Sequence, residues 1–449
     1  MWDPTPDATA RVDGTTNVCP GHAPGRTFEH LVRQESCHNA TVLAKCGPHV
    51  RPKKYVMSAQ LAASRVLDPG PHRGPSMLSR RTSMLASVVL LLGVLVGVND
   101  ALASAPLPTT TRKVVFEKTE RGYRWKITVG PLPEVGEHQV LIHVRAVALN
   151  RGDLEILESQ SRRDLSGLEV ASDAAGDVLA VGRAVRGIRP GMRVTSTYFK
   201  NWVDGPPSKE QLEADRGATV DGVLGDYIVL DDTGVIPAPA GLSYEEAATL
   251  PTAGLAAWSA TVGQNVHRGQ TVVIEGTGGV STFALQFAAA AGAHVLLTSS
   301  SDDKLKRAQQ IAPNDGINYR DVPEWSKRVF ELTHGHGADL IVDVGGKTTL
   351  TESVRSLAYL GTLCVVGGLT GFDGGIPEGA LMVRVARVQG IFVGSRADFA
   401  RMNAFITAHH LHPVVDRTFA LEHYEEALKY MADGQFVGKI VLRLQGTSN

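Results

Sequence analysis

Hydrophobic and polar positions change rhythm along this chain. Over residues 137–150, EHQVLIHVRAVALN, apolar and polar residues alternate, the two-residue period of a strand with one face inward. Residues 174–194, AAGDVLAVGRAVRGIRPGMRV, predict short strands broken at Gly182, Gly187 and Gly191, and DGVLGDYIVL (221–230) predicts another. This front half is β-rich. After GLSYEEAATLP the pattern changes. Ser243 stands where a helix cap is wanted, with Glu245 and Glu246 in the first turn. From there strand-length apolar runs (TVVIE, HVLLT, DLIVDV, TLCVVG, GIFVG) alternate with helical stretches that include 281–291 and 303–310. That alternation predicts an α/β unit built on a doubly wound parallel sheet. The final stretch, HYEEALKYMADGQFVGKIVLRL, reads as helix, turn and closing strand, and no internal repeat is present.

The first 105 residues follow a different logic. Residues 1–76 lack sustained periodicity and carry many breakers, so they read as disordered or as upstream sequence joined by a wrong start. Cys37, His38, Cys46 and His49 lie there, at a spacing that matches no standard zinc pattern. Residues 77–105 hold Arg80 and Arg81, an apolar run over 84–98, and small residues at A-x-A spacing around Ala101–Ala105. This is the three-part form of a secretory signal, and SRRTSML resembles a twin-arginine export signal. The expectation is export to the periplasm through this segment. The alternatives are an uncleaved membrane anchor through 84–98, or a cytoplasmic protein.

Inside the alternating half, VVIEGTGGVSTFALQFAAAAGAHVLLTSSSDDK (272–304) combines strand, glycine turn, helix and strand. Gly276 and Gly278 take the first two positions of G-x-G-x-x-G, and Ser281 takes the third. A glycine pattern carries weight when it follows a strand and opens a helix, as here. The turn, Gly276, Thr277, Gly278, Gly279 and Val280, is expected to cradle a dinucleotide pyrophosphate at the helix N-terminus. No acid ends the second strand to grip ribose hydroxyls. Ser299, Ser300 and Ser301 stand there, with Lys304 one turn on. Hydroxyl and ammonium donors suit a 2′-phosphate, so NADPH is expected over NADH. The serines also suit a cap of the next helix, a role Asp302 shares.

Composition narrows the function classes. The 449 residues are 43% apolar and 20% charged, with a formal net charge of −1. No basic field exists to attract nucleic acid. Three of four cysteines lie in the first 50 residues, so Cys364 has no intramolecular disulfide partner in the body and no multi-cysteine zinc site is available there.

From about residue 112 to the end the chain resembles the medium-chain dehydrogenase/reductase superfamily, specifically its zinc-independent alcohol dehydrogenase-like and quinone oxidoreductase-like members. The matching stretches include AVALNRGDL, AGDVLAVG, LSYEEAATLPTAGLAAWSA, the glycine turn through LKRA, INYRD, DVGG, GTLCVVGGLTG, VQGIFVGSR and GKIVLRL. The resemblance implies a GroES-like β-rich catalytic domain (112–240), a Rossmann NADP-binding domain (241–374), and a C-terminal segment (375–449) completing both. It also implies a homodimer through the edge strand near VQGIFVG.

The departures from that family are informative. Zinc-dependent members place a cysteine where this chain has Asn150, His-Glu where it has Ser172 and Asp173, and a second cysteine where it has Thr252. The proton-relay hydroxyl is replaced by Gly152, and YFKNWVDGPPSKEQLEADRG stands where the four-cysteine structural lobe would be. No zinc is expected. Without that Lewis acid the expected reaction is hydride transfer to a small acceptor that spreads its own charge: a quinone, an enone or an activated carbonyl. The resemblance implies Asn150 and Thr252 as the catalytic contacts. It puts Tyr319 beside the adenosine, and Gly367, Gly368, Val393, Gly394 and Ser395 beside the nicotinamide. Lys439 in VGKIV points to the cleft or to solvent. Tyr198, Phe199 and Trp202 wall a substrate pocket or pack their own loop. The competing readings are alcohol dehydrogenase-type oxidation and a non-catalytic NADPH-binding protein. An enoyl reductase domain of a multienzyme fits less well.

Overall fold

The computed structural model describes residues 107–120, 122–158 and 163–444. The segments 1–76 and 77–105, with the apolar run and the Cys37–His49 cluster, lie outside the described residues. Among the described residues no helix is long and apolar enough to cross a membrane.

Alternation in the front half builds a β-rich unit. A hairpin, β1 (Thr110–Thr119) and β2 (Gly122–Pro131), precedes β3 (Gln139–Leu149), the spine of the unit. On β3, Val140, Ile142, Val144 and Val147 are buried in one cluster, while Ala146 and Ala148 face another. Helix α1 (Arg151–Glu158) follows, then β4 (Asp173–Val181), β5 (Arg193–Ser196), the single turn α2 (Lys209–Leu212), β6 (Tyr227–Asp231) and β7 (Val235–Pro237). Strands β4 and β6 both pair antiparallel with β3. Gly176 on β4 is forced by close backbone approach, because a Cβ there would lie 2.2 Å from His143 O. Gly176→Ala is expected to lower folding stability by about 1–3 kcal/mol, read by urea unfolding.

Ser243 caps α3 (Tyr244–Ala248) as the sequence predicts, through a reciprocal box with Glu246. A π-helical turn, Leu250–Gly254, then leads into α4 (Leu255–Ala260). The alternating half follows: β8 (Thr271–Glu275), α5 (Gly279–Ala290), β9 (His294–Ser299), α6 (Asp302–Ile311), β10 (Asp315–Asn318), α7 (Trp325–Leu332), β11 (Ala338–Asp343), α8 (Leu350–Ser356), β12 (Leu357–Val365), α9 (Glu378–Arg384) and β13 (Arg387–Gly390). These strands form one parallel sheet in the order β10-β9-β8-β11-β12-β13, the doubly wound dinucleotide-binding topology. Helix α5 is apolar around much of its circumference and is packed accordingly, with Phe283, Ala284, Leu285, Phe287 and Ala288 buried.

Two expectations shift. Strand β10 was not foreseen, because only Ile317 of its four residues is buried. The edge strand expected at GIFVG begins three residues earlier, at Arg387–Gly390, and all four of its residues are exposed. Burial periodicity carries no signal in either. After α10 (Arg396–Ala408), β14 (Val415–Ala420), α11 (Tyr424–Asp433) and β15 (Lys439–Arg443) return the chain to the first unit, where β15 pairs antiparallel with β3.

Candidate active site

That return brings together residues almost 290 positions apart. The register pairs Ile440 with Leu149, so Lys439 comes level with Asn150 at the end of β3. One residue earlier, Gly438 bridges in parallel to Gly278, and its N–H donates to Thr277 O at 2.9 Å. Gly438 has φ of +95°, and a Cβ there would lie 2.4 Å from Val414 O, so the position takes only glycine. Lys439 is thus clamped between the glycine turn and the old end of β3. It is 4% exposed. Its Nζ donates to Leu149 O at 2.6 Å and to Asn150 Oδ1 at 2.5 Å. The stem lies on Gly279, where a Cβ would come within 2.5 Å of Lys439 Cδ. Of the two readings of this lysine, the structure selects the cleft.

Asn150 stands where a cap residue would stand, but its side chain does not cap. Asp153 does that work, reaching back to accept from the Asn150 N–H at 2.7 Å. The Asn150 amide is left for the site, and its Nδ2 faces Ser172 Oγ at 3.4 Å. Ser172 Oγ donates to Asp173 Oδ1 at 2.6 Å and lies 3.2 Å from Thr252 Oγ1. Thr252 sits inside the π-helical turn and does not open a helix. Its hydroxyl donates to Asp173 Oδ1 at 2.5 Å and its N–H to Oδ2 at 3.2 Å. The irregular turn aims both donors at one carboxylate, a use typical of π-bulges. Thr252→Val leaves the fully buried Asp173 short of a donor, and a loss of about 1–3 kcal/mol in urea unfolding is expected.

Burial pushes the Asp153 carboxyl up to about 7, with Asp173 adding repulsion. Glu275 at the end of β8 is also held well above the usual range, by burial and then by Asp343 at the end of β11. The Ser353 hydroxyl contacts both acids, at 2.7 and 2.8 Å. For Asp153 the folded value exceeds the unfolded one, so from about pH 4 to about pH 7 the folded chain keeps a proton that the unfolded chain has lost. Its contribution to stability therefore declines as pH rises through that window, by on the order of 4 kcal/mol. Asp153→Asn is expected to flatten that slope in urea unfolding at a series of pH values.

The dinucleotide turn forms as the sequence predicts. Gly276 has φ of +73°, and α5 begins at Gly279, two residues before the expected start. Thr277 is buried and Val280 is half-buried. Ser281 Oγ donates to Glu275 O at 2.6 Å, so the third position of the motif stitches helix to strand. At the far end Ser299 is buried, and the hydroxyls of Ser299, Ser300 and Ser301 make no hydrogen bond among the described residues. Ser301 precedes α6 without a side-chain cap bond, so the capping role is not taken. Lys304 Nζ donates to Gly434 O at 2.5 Å. Its ammonium is depressed by burial, then by Arg320 and Arg307 nearby. Arg307 is paired with Asp416. Arg320, exposed just beyond β10, was missed from the sequence. Its neighbour Tyr319 donates its N–H to Ser299 O and is 41% exposed, so it is not a core aromatic.

On the nicotinamide side, Gly367 and Gly368 follow β12 against the Val344 backbone and the Phe372 ring. Val393 adopts φ of +57°, and a Cβ on Gly394 would lie 2.9 Å from Ser259 Oγ. The Ser395 hydroxyl is engaged in a capping box with Asp398 at the start of α10, which leaves its backbone for a ligand. Tyr198, Phe199 and Trp202 form one aromatic wall with Phe392, with Phe199–Phe392 at 5.1 Å and Phe199–Trp202 at 5.5 Å. Phe199 is fully buried core, whereas the Tyr198 phenol faces Asp215, 3.5 Å away.

The glycine turn, the open helix N-terminus and the uncommitted serines fit a dinucleotide. Zinc does not fit. The donors at the four family positions are an amide, two hydroxyls and one carboxylate already holding three protein donors, with an ammonium 2.5 Å from the amide oxygen. Among the described residues no group of three His, Cys, Asp or Glu side chains could hold a metal.

Fold and site together define a two-domain, dinucleotide-dependent oxidoreductase. Comparison with known proteins agrees. Residues 136–240 match the family described as alcohol dehydrogenase GroES-like domain, and 279–408 match zinc-binding dehydrogenase. A zinc-type alcohol dehydrogenase-like protein of Schizosaccharomyces pombe is 39% identical over 316 residues, 68% of this chain and 91% of that one. A crotonyl-CoA reductase of Streptomyces collinus is 25% identical over 341 residues, 66% of this chain and 76% of its own. A solved alcohol dehydrogenase structure from Sinorhizobium meliloti superposes with a TM-score of 0.71 at 37% identity, covering 75% of this chain and 99% of that one. The chain belongs to the medium-chain dehydrogenase/reductase superfamily, in its zinc-type alcohol dehydrogenase-like branch, and is an NAD(P)-dependent oxidoreductase.

Proposed function

We propose that this enzyme uses NADPH to reduce a small, conjugated acceptor, a quinone or an enone, without zinc. The observation that carries the reading is the closed network at the four family metal positions, Asn150, Ser172, Asp173 and Thr252, joined by Lys439. When bound, the nicotinamide coenzyme supplies the hydride. The chain's own residues then orient the acceptor and stabilise the oxygen on which charge collects. A conjugated acceptor distributes that charge, so hydrogen-bond donors suffice where an isolated carbonyl needs a metal. Asn150 supplies a donor beside the turn, and the aromatic wall of Tyr198 and Phe392 suits a flat, apolar substrate. Incubating the purified enzyme with NADPH and a panel of 1,4-quinones and enones tests the reading. Turnover is expected. Turnover only with simple alcohols and NAD+ would sink it, and would return weight to the alcohol dehydrogenase reading that the S. pombe relative's description favours.

Two further parts of this reading concern assembly and placement. The exposed edge β13, with Val388 beside the exposed Met382 and Val385, suits pairing with a second copy, to be read by light scattering. Residues 77–105 direct export, and fractionation of cells expressing the full chain tests it.

A further inference from the structure

Resting on the zinc-free reading, we infer that Lys439 takes over the electrostatic task of the metal and acts through Asn150. Three observations converge. Lys439 is the residue that bridges the dinucleotide turn to the old metal positions, with its stem on Gly279 and its ammonium on Leu149 O and Asn150 Oδ1. The ammonium decides the orientation of the Asn150 amide. With Oδ1 on a cation, Nδ2 is turned toward Ser172 and Thr252, the face where zinc members hold their metal. An amide whose oxygen is held by an ammonium is also a stronger N–H donor, because polarisation passes along a hydrogen-bonded chain.

Asn150 Nδ2 carries two N–H groups and only one of them is engaged, in the long 3.4 Å contact to Ser172, so a donor stays available for an incoming oxygen. Ser172 and Thr252 cannot compete for that oxygen, since both hydroxyls are spent on Asp173 Oδ1. Burial disfavours the charged form of Lys439, and the nearby Asp173 and Asp153 carboxylates oppose that effect. Lys439 is thus a positioning residue, and Asn150 the group that touches substrate. An enone takes a hydride at its β-carbon from the reduced coenzyme. Its oxygen carries the charge against Asn150 Nδ2, and solvent supplies the proton at the α-carbon. One coenzyme is oxidised for each acceptor reduced.

The test compares wild type with Lys439→Gln and Lys439→Arg. Gln can still donate to Leu149 O and Asn150 Oδ1 but has no charge, so it separates charge from structure. Arg retains the charge. The direct probe is 4-nitrophenol added to the enzyme–NADP+ complex below the probe's own pKa. The wild type is expected to bind it as the yellow phenolate. Lys439→Gln is expected to lose that spectrum and to lower kcat by roughly 100-fold, the cost of one preorganised oxyanion donor, with the NADPH dissociation constant unchanged. Lys439→Arg is expected to recover part of both signals. An unchanged phenolate spectrum in Lys439→Gln overturns the inference. So does weakened NADPH binding with kcat preserved, which would make the lysine a coenzyme-phosphate contact. If the wild type turns over no acceptor, the zinc-free reductase reading fails, while the phenolate spectrum still reports on Lys439 independently.

Discussion

Replacing Asn150 by Asp is expected to cut kcat with a quinone or enone by about 100- to 1,000-fold while leaving the fold and NADPH binding in place. The substitution is nearly isosteric. The new carboxylate can accept from Lys439 where Oδ1 did, now as an ion pair. Structure is therefore preserved. What changes is the sign of the group offered to the acceptor: a donor becomes an acceptor, and the cation of Lys439 is neutralised beside it. A developing oxyanion meets repulsion where it met an N–H. Single-turnover decay of NADPH absorbance measures the chemical step, and coenzyme fluorescence measures binding. An Asn150→Asp enzyme that turned over at the wild-type rate would remove Asn150 from the chemistry.

The second large effect concerns the coenzyme. Lys304→Ala together with Arg320→Ala is expected to lower the preference for NADPH over NADH by roughly 100- to 10,000-fold, two charge-assisted contacts at about 1.5–3 kcal/mol each. The geometry explains why both are needed. Lys304 is held in place by its bond to Gly434 O, with further N–H groups to spare, and Arg320 lies near enough to depress its ammonium. A 2′-phosphate entering between the two relieves that repulsion. Three serine hydroxyls without partners among the described residues surround the same spot. Asp302, the alternative ribose partner, accepts from Asn318 Nδ2 at 2.9 Å and is partly spent. Fluorescence titration with each coenzyme reads the ratio. A double variant with an unchanged ratio would assign discrimination elsewhere.

The contrast between these two sites shows what was legible in the sequence. The glycine turn, the Ser243 cap, the β-rich front and the parallel sheet rest on local periodicity and local turn chemistry, which a linear reading captures. For Lys439 the sequence left two directions open, the cleft or solvent. Its meaning comes from the β15–β3 register and the Gly438–Gly278 bridge, which no local pattern encodes. Arg320 was hidden because β10 is short and mostly exposed, so no burial pattern marked the strand that brings INYRD back beside the serines. Ser395 is the opposite case: its capping box with Asp398 is spelled locally in the sequence as S-R-A-D. The bond from Lys304 to the distant Gly434 carbonyl has no local signal either, because only the folded chain supplies that acceptor.

The central claim is hydride transfer to a conjugated acceptor supported by Lys439 and Asn150 instead of zinc. The most direct measurement is NADPH oxidation by a 1,4-quinone before and after exhaustive chelation, with zinc per chain determined on the same samples. The account predicts the same rate in both, at zinc far below one per chain and with no gain on adding the metal back. A rate lost on chelation and restored by stoichiometric zinc would contradict it.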